Sequence, residues 1–189
     1  MNKLKGDLYE DYVRDHIIKN LKKQALIEAQ NKKFYLQKYK PVIDAKIAYF
    51  NKLRESCVTT RSGLQFAIVR KGNGKKPAAG ADIFINYAGF LEDATLFDTS
   101  LENVAKEFGK FDKQRADANQ YQPIPFQAGK KDGIIPGFIE GIENISFGDK
   151  AVLFIPSRLG YGEAGAGNVI PANANIIFEI ELLENNPNK

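Results

Sequence analysis

The 189-residue chain is 43% hydrophobic and 26% charged, with a net charge of +4. These are ordinary globular values, which exclude a disordered, collagen-like or disulfide-stapled chain and leave room for one or two domains. The lone Cys57 has no internal disulfide partner, the lone His16 is remote from it in sequence, and no apolar run approaches the roughly 18–20 residues that span a bilayer.

Residues 1–60 carry a net charge of +6 and a single glycine, whereas the remainder carries −2 and fifteen glycines. Glycine and proline are penalised inside helices, so the first part reads as helical and the rest as strands with many turns. No apolar core follows Met1, so the sequence predicts no secretory leader. On that reading the chain stays where it is made, or is a trimmed form with an added start methionine.

Leu8, Tyr12, Ile17, Leu21 and Ala25, widened by Tyr9, Val13 and Leu26, form an apolar stripe that predicts a helix over about 7–29. Phe34, Tyr35, Tyr39, Ile43, Ile47, Phe50 and Leu53 predict a second over about 33–55, with Pro41 expected to break or kink it. The arm's lysines are interleaved with Asp11, Asp15, Glu28 and Asp44, the pattern of a solvated helix face rather than of a nucleic-acid surface. Its aromatic stripe is expected to pack on protein: on the chain's own globular part or on a second copy.

From Ser62 the periodicity becomes two. Leu64, Phe66 and Ile68 predict a strand, Gly72-Asn73-Gly74 a turn, and Ile83, Ile85 and Tyr87 a second strand followed by Leu96-Phe97-Asp98. Residues 101–122 are polar and show no clear strand. Phe138, Ile142 and Ile145, entered through Ile135-Pro136-Gly137, predict a short helix for which Gly148 is a plausible stop. Ala151 to Ile155 predicts a further strand, and Ile176, Phe178, Ile180 and Leu182, alternating with Ile177, Glu179 and Glu181, predict the last. Strands joined by turns, with one short helix to cover a face, describe an α+β domain.

The familiar chemistries are missing from these residues. Gly160-Tyr161-Gly162-Glu163-Ala164-Gly165 satisfies a dinucleotide fingerprint, but Ala166-Gly167-Asn168-Val169-Ile170-Pro171 follows and cannot form the helix that would face a pyrophosphate. His16 lies in the arm, so the globular part has no histidine for a Ser-His-Asp triad, and Cys57 reads as an unreactive thiol. No Walker loop or metal spacing is present, so an enzyme built on this chain is expected to need no nucleophile, metal or cofactor. What remains is a set of aromatic and aliphatic residues beside a few polar ones in glycine-rich loops. Such residues form a core or an apolar ligand pocket.

Five motifs in order carry a resemblance. Ile85-Asn86-Tyr87-Ala88-Gly89-Phe90-Leu91 resembles V-x-Y-x-G-x-L, and Leu96-Phe97-Asp98-Thr99-Ser100 resembles a segment containing F-D-S-S. Gly133-Ile134-Ile135-Pro136-Gly137-Phe138-Ile139-Glu140-Gly141 resembles V-I-P-G-W-x-E-G. Ile155-Pro156-Ser157-Arg158-Leu159-Gly160-Tyr161-Gly162 resembles I-P-x-x-L-A-Y-G, and the run Ile170 to Leu182 resembles I-P-P-N-A-x-L-x-F-x-V-E-L. These are the motifs of the FK506-binding-protein family of peptidyl-prolyl cis-trans isomerases (FKBPs). Ser62-Gly63-Leu64-Gln65-Phe66 resembles the opening of the domain in its bacterial envelope members, which often carry an N-terminal helical arm.

The resemblance implies an FKBP-like α+β fold: an antiparallel sheet wrapped around one short helix, preceded by an α-helical arm. The arm is expected over residues 1–60, serving dimerisation or client holding, and the isomerase domain over 61–189. It implies catalytic roles for Tyr87, Asp98, Ile135, Tyr161 and Phe178, with the Ile135 N–H and the Tyr161 hydroxyl donating to a bound carbonyl. Phe97, Phe126, Ile134 and Ile170 would wall the pocket and Phe138 would form its floor. The implied activity is acceleration of Xaa-Pro isomerisation during protein folding, without metal or cofactor. A chaperone or scaffold that binds unfolded clients is the alternative. The implied partners are proline-containing unfolded or folding polypeptides, macrolide ligands such as tacrolimus, and a second copy bound through the arm. The implied location is the bacterial cell envelope or periplasm, with the cytoplasm as the alternative.

Three features depart from the family pattern. The floor position, usually Trp, is Phe138, and no arginine closely follows Leu96-Phe97-Asp98-Thr99-Ser100 to partner Asp98. Residues 101–122 form an insertion, expected as a flap near the pocket mouth in preference to a longer surface loop.

Overall fold

The computed structural model describes residues 2–131 and 133–185, with side chains from residue 10 onward. The chain divides into two compact units, Met1–Lys40 and Pro41–Lys189, a division well ahead of the 60/61 boundary expected from composition.

One helix, α1 (Asn2–Arg54), replaces the two expected, and Pro41 lies inside it. Proline removes one backbone donor and strains the preceding turn, at about 3 kcal/mol. Beyond Pro41 the helix is held by burial of Ile43 and Phe50, which offsets that cost. In the first unit the described part of the apolar stripe, from Tyr12 on, is largely exposed. Tyr12 and Phe34 are each 68% exposed, and Ile17, Leu21 and Leu26 are exposed as well.

The second unit is built on a sheet of seven antiparallel strands. These are β1 (Val58–Thr59), β2 (Gln65–Arg70), β3 (Asp82–Leu91), β4 (Leu96–Thr99), β5 (Ile124–Gln127), β6 (Lys150–Ile155) and β7 (Ile176–Leu183). Their order is β1-β2-β6-β7-β3-β4, with β5 pairing β3. The period-two patterns sort residues between two faces. Ile83, Ile85, Ala151, Leu153, Ile155, Ile176, Phe178, Ile180 and Leu182 face one core. Leu64 and Phe66, at the start of the domain, join the same core.

Two short helices, α2 (Glu102–Glu107) and α3 (Lys113–Asp117), lie in the insertion, and a third, α4 (Pro136–Asn144), covers that core through Phe138, Ile139 and Ile142. It approaches the sheet closely. A Cβ added at Gly141 would lie 2.3 Å from Leu153 Cδ1, so any larger residue there would force the buried Leu153 side chain to move. The helix stops at Asn144 rather than at Gly148. Gly148 instead takes a φ of +83° in the turn into β6, where its N–H donates to the Leu182 carbonyl at 2.7 Å.

The opposite face is covered by the end of α1 and by the insertion. Phe50 meets Phe90 edge-on at 5.4 Å and Phe154 at 6.1 Å, while Phe108 from the insertion meets Phe90 at 5.2 Å. Lys46 Nζ lies 3.0 Å from Glu179 Oε1. It also sits 5.3 Å from the centre of the Phe90 ring, so the ammonium is held by a carboxylate and an aromatic wall together.

Candidate active site

Between α4 and the sheet lies a cavity of about 440 Å³. Four strands, α4 with the turn into it and the loop before β7 contribute to it. β3 supplies Tyr87, β4 supplies Phe97 and Asp98, β5 supplies Ile124 and β7 supplies Phe178. The turn into α4 supplies Gly133, Ile134 and Ile135, and the helix itself supplies Phe138. The long loop before β7 supplies Tyr161, Ala166, Val169 and Ile170.

Phe178 is the hub of the aromatic floor. Its ring lies 5.0 Å from Phe138 and 5.5 Å from Phe97, both edge-on, and 6.1 Å from Tyr87. Edge-to-face contacts of this kind add to the burial of the rings and fix their orientation. Gly89 lets the wall close. A Cβ there would lie 2.5 Å from the Phe97 ring and 2.9 Å from Phe178. The loop over the cavity is pinned by paired backbone bonds between Ala166 and Ile170, at 2.9 and 3.1 Å. Ile170 is thereby buried while Val169 stays exposed at the rim.

The polar side of the wall centres on Asp98. Tyr87 Oη donates to its Oδ2 at 2.5 Å, and Arg115 Nη1 donates to its Oδ1 at 3.0 Å. The Thr99 N–H donates to the same Oδ1 at 2.8 Å. Arg115 Nη2 donates in addition to the Thr99 carbonyl at 3.1 Å, so the guanidinium grips strand β4 by two nitrogens. Burial pushes the Tyr87 phenol well above its ordinary pKa, and the hydrogen bond to Asp98 pushes it further. Burial would lower the Arg115 value, but the bond to Asp98 and its charge outweigh this and the net shift is upward. At the other end of the cavity the Ile135 N–H, at the cap of α4, meets no acceptor among the described residues.

Nine of the ten residues picked out from the sequence line this one cavity: Tyr87, Phe97, Asp98, Ile134, Ile135, Phe138, Tyr161, Ile170 and Phe178. Phe126 is not part of its lining. It follows Ile124 on the same face of β5, opposite Ile83, and is buried in the core. Ile124, Gly133, Ala166 and Val169 complete the lining, although no role for them follows from the motifs. The insertion does not form a flap, since none of residues 101–122 lines the cavity. It packs on the far face through Phe108 and on Asp98 through Arg115, the partner that the local motif lacks. Cys57 donates to the Leu53 carbonyl at 3.3 Å, and burial raises its pKa, which leaves it a poor nucleophile.

A mostly apolar, aromatic-floored cavity with one held carboxylate is the arrangement that the five motifs imply for a peptidyl-prolyl isomerase fold. The model of the FKBP-type peptidyl-prolyl cis-trans isomerase domain matches residues 73–183, and the chain belongs to that family. It is 36% identical over 133 residues to the FKBP-type peptidyl-prolyl cis-trans isomerase FkpA of Aeromonas hydrophila, covering 70% of this chain and 42% of that protein. It is 36% identical over 134 residues to the FKBP-type 22 kDa peptidyl-prolyl cis-trans isomerase of Escherichia coli, covering 71% of this chain and 55% of that one. The matched segment therefore spans about half the length of these relatives. Among solved structures, FkpA from Escherichia coli superposes with a TM-score of 0.51 at 30% identity, covering 86% of this chain and 69% of that chain.

Proposed function

We propose that this chain is a peptidyl-prolyl isomerase that accelerates Xaa-Pro isomerisation in folding polypeptides. The observation that carries this reading is the 440 Å³ cavity with Tyr87, Phe97, Phe138 and Phe178 around a rigidly held Asp98. Amide resonance sets a barrier of roughly 18–20 kcal/mol, so unaided exchange takes tens to hundreds of seconds. Twisting the bond breaks conjugation and reduces its charge separation. A dry aromatic cavity then favours the twisted state over the planar one more than water does. The Ile135 N–H and the Tyr161 hydroxyl would hold the substrate carbonyl while the proline side rotates. No proton leaves the protein and no covalent bond forms. A turnover of about 10 per second corresponds to a gain of roughly 4 kcal/mol over the spontaneous rate, within reach of several apolar contacts and one or two donors.

The experiment is the refolding of a protein whose slow phase is prolyl isomerisation, followed with catalytic amounts of this chain and with tacrolimus added. Acceleration that the macrolide blocks supports the reading. Unaltered slow-phase kinetics with a folded sample would sink it.

A second reading, a client-holding chaperone, is favoured by one observation, the uncovered stripe of Tyr12, Ile17, Leu21, Leu26 and Phe34. Exposed apolar surface of this extent marks an interaction site. The two readings are compatible, with residues 1–60 serving dimerisation or client holding and residues 61–189 isomerisation. Suppression of aggregation by the full chain but not by a chain beginning at Pro41 would support the arm's part in it. The likeness to envelope members of the family supports a bacterial envelope or periplasmic location over the cytoplasm, which fractionation of the producing cell tests.

A further inference from the structure

Arg115 reaches Asp98 from outside the cavity, and its approach is fixed by a row in which two cations flank a pair of rings. Lys106 Nζ sits 4.9 Å from the centre of the Phe111 ring. Phe111 stacks on Tyr121 with ring centres 6.0 Å apart and planes only 12° from parallel. The Arg115 guanidinium lies 4.8 Å from the centre of the Tyr121 ring. Beyond it come Asp98 at 3.0 Å and then Tyr87 on the cavity wall. The backbone is tied to the same row. Tyr121 Oη accepts from the Asp112 N–H at 2.9 Å, and Asp112 caps α3 by accepting from the Gln114 and Arg115 N–H groups at 2.7 and 3.2 Å.

We infer that Tyr121 is a positioning residue for Asp98, acting through Arg115, and that the 101–122 insertion is thereby a working part of the isomerase pocket. This rests on the isomerase reading given above. The side chains of Arg115 and Asp98 are 33% and 43% exposed, so their attraction is screened and contributes little stability of its own. What the row supplies is direction. A planar guanidinium held against the Tyr121 ring has few rotamers left, so both of its donating nitrogens stay on β4. Asp98 then keeps both oxygens engaged by Tyr87, Thr99 and Arg115 instead of turning one towards a bound amide. A free carboxylate oxygen would bring water to the wall and favour the polar, planar amide. The loss should therefore fall on turnover and not on substrate affinity.

The test uses the full chain and NMR exchange on a short Xaa-Pro peptide, with Arg115→Gln, Tyr121→Leu and Tyr121→Phe beside the unmodified protein. Arg115→Gln should lower kcat by about tenfold and Tyr121→Leu by about threefold, each with KM within about twofold of the parent. Tyr121→Phe keeps the stacked ring but loses the acceptor for the Asp112 N–H, and its kcat should fall between the parent and Tyr121→Leu. The double variant Arg115→Gln/Tyr121→Leu should be no slower than Arg115→Gln alone, because the two act through one contact. The carbon shift of the Tyr87 phenol gives a second readout that needs no catalysis. It should move in Arg115→Gln and Tyr121→Leu and move less in Tyr121→Phe. Unchanged kcat and an unmoved Tyr87 signal in folded Tyr121→Leu would overturn the inference, as would losses that multiply in the double variant. Absence of catalysis by the unmodified protein would instead overturn the isomerase reading itself.

Discussion

Phe178 and Tyr161 separate the two kinds of contribution a cavity residue makes. Phe178 is 6% exposed and touches three other rings, so Phe178→Ala should cost roughly 3–5 kcal/mol of stability as well as activity. Denaturant unfolding beside the peptide assay measures both losses. Tyr161 is partly exposed, and Tyr161→Phe removes only a hydroxyl. Its expected effect is a loss of about 0.5–1.5 kcal/mol in ligand affinity at unchanged stability, read by calorimetric titration with a proline peptide or macrolide. Tyr87 sets a pH signature. Its pKa is raised on folding, so its contribution is complete below about pH 10 and is lost as pH climbs through the folded-state value. The stability advantage of the parent over Tyr87→Phe should be flat from pH 6 to 9 and shrink above about pH 10, as urea unfolding at several pH values will show. At this scale the five motifs make most of the cavity legible in the sequence. Arg115 is not legible there, because its link to Asp98 spans seventeen positions and depends on where α3 folds. Phe126 is misplaced for a related reason. Alternation along β5 says which face a residue takes, not whether the cavity extends as far as that residue.

Elements are legible where a single periodicity holds. The alternation of β7 and the i, i+4 spacing of α4 follow from one sheet face and one helix stripe being buried. Composition misses the end of α1. Its charges match those of the exposed arm, yet Phe50 is 2% exposed and lies edge-on to Phe90 and Phe154. Where to cut the chain follows from this. A chain of residues 41–189 should fold and isomerise short peptides like the parent. A chain of residues 61–189 lacks Ile43, Lys46, Phe50 and β1, and exposes the outer face of the sheet. It should lose several kcal/mol, in line with truncation of a buried aromatic, and aggregate at lower temperature. Thermal unfolding of the two truncated chains checks the difference. Equal midpoints would mean that the docked end of α1 contributes no stability.

For the whole molecule, the proposed division of labour follows the two units. Among the described residues, 10–40 include exposed apolar side chains, and those from Pro41 onward hold a closed core with an aromatic cavity. If the arm gathers clients as proposed, their prolines would reach the cavity at high local concentration, and the rate on unfolded proteins would rise while that on short peptides would not. The central claim is that this cavity twists Xaa-Pro bonds, and the most direct measurement is the cis–trans exchange rate of a short Xaa-Pro peptide, by NMR exchange, with catalytic amounts of the full chain. The account predicts exchange well above the spontaneous rate, abolished by tacrolimus and reduced in Phe178→Ala that is shown to be folded. An exchange rate equal to that of the free peptide, in the presence of folded protein, would contradict it.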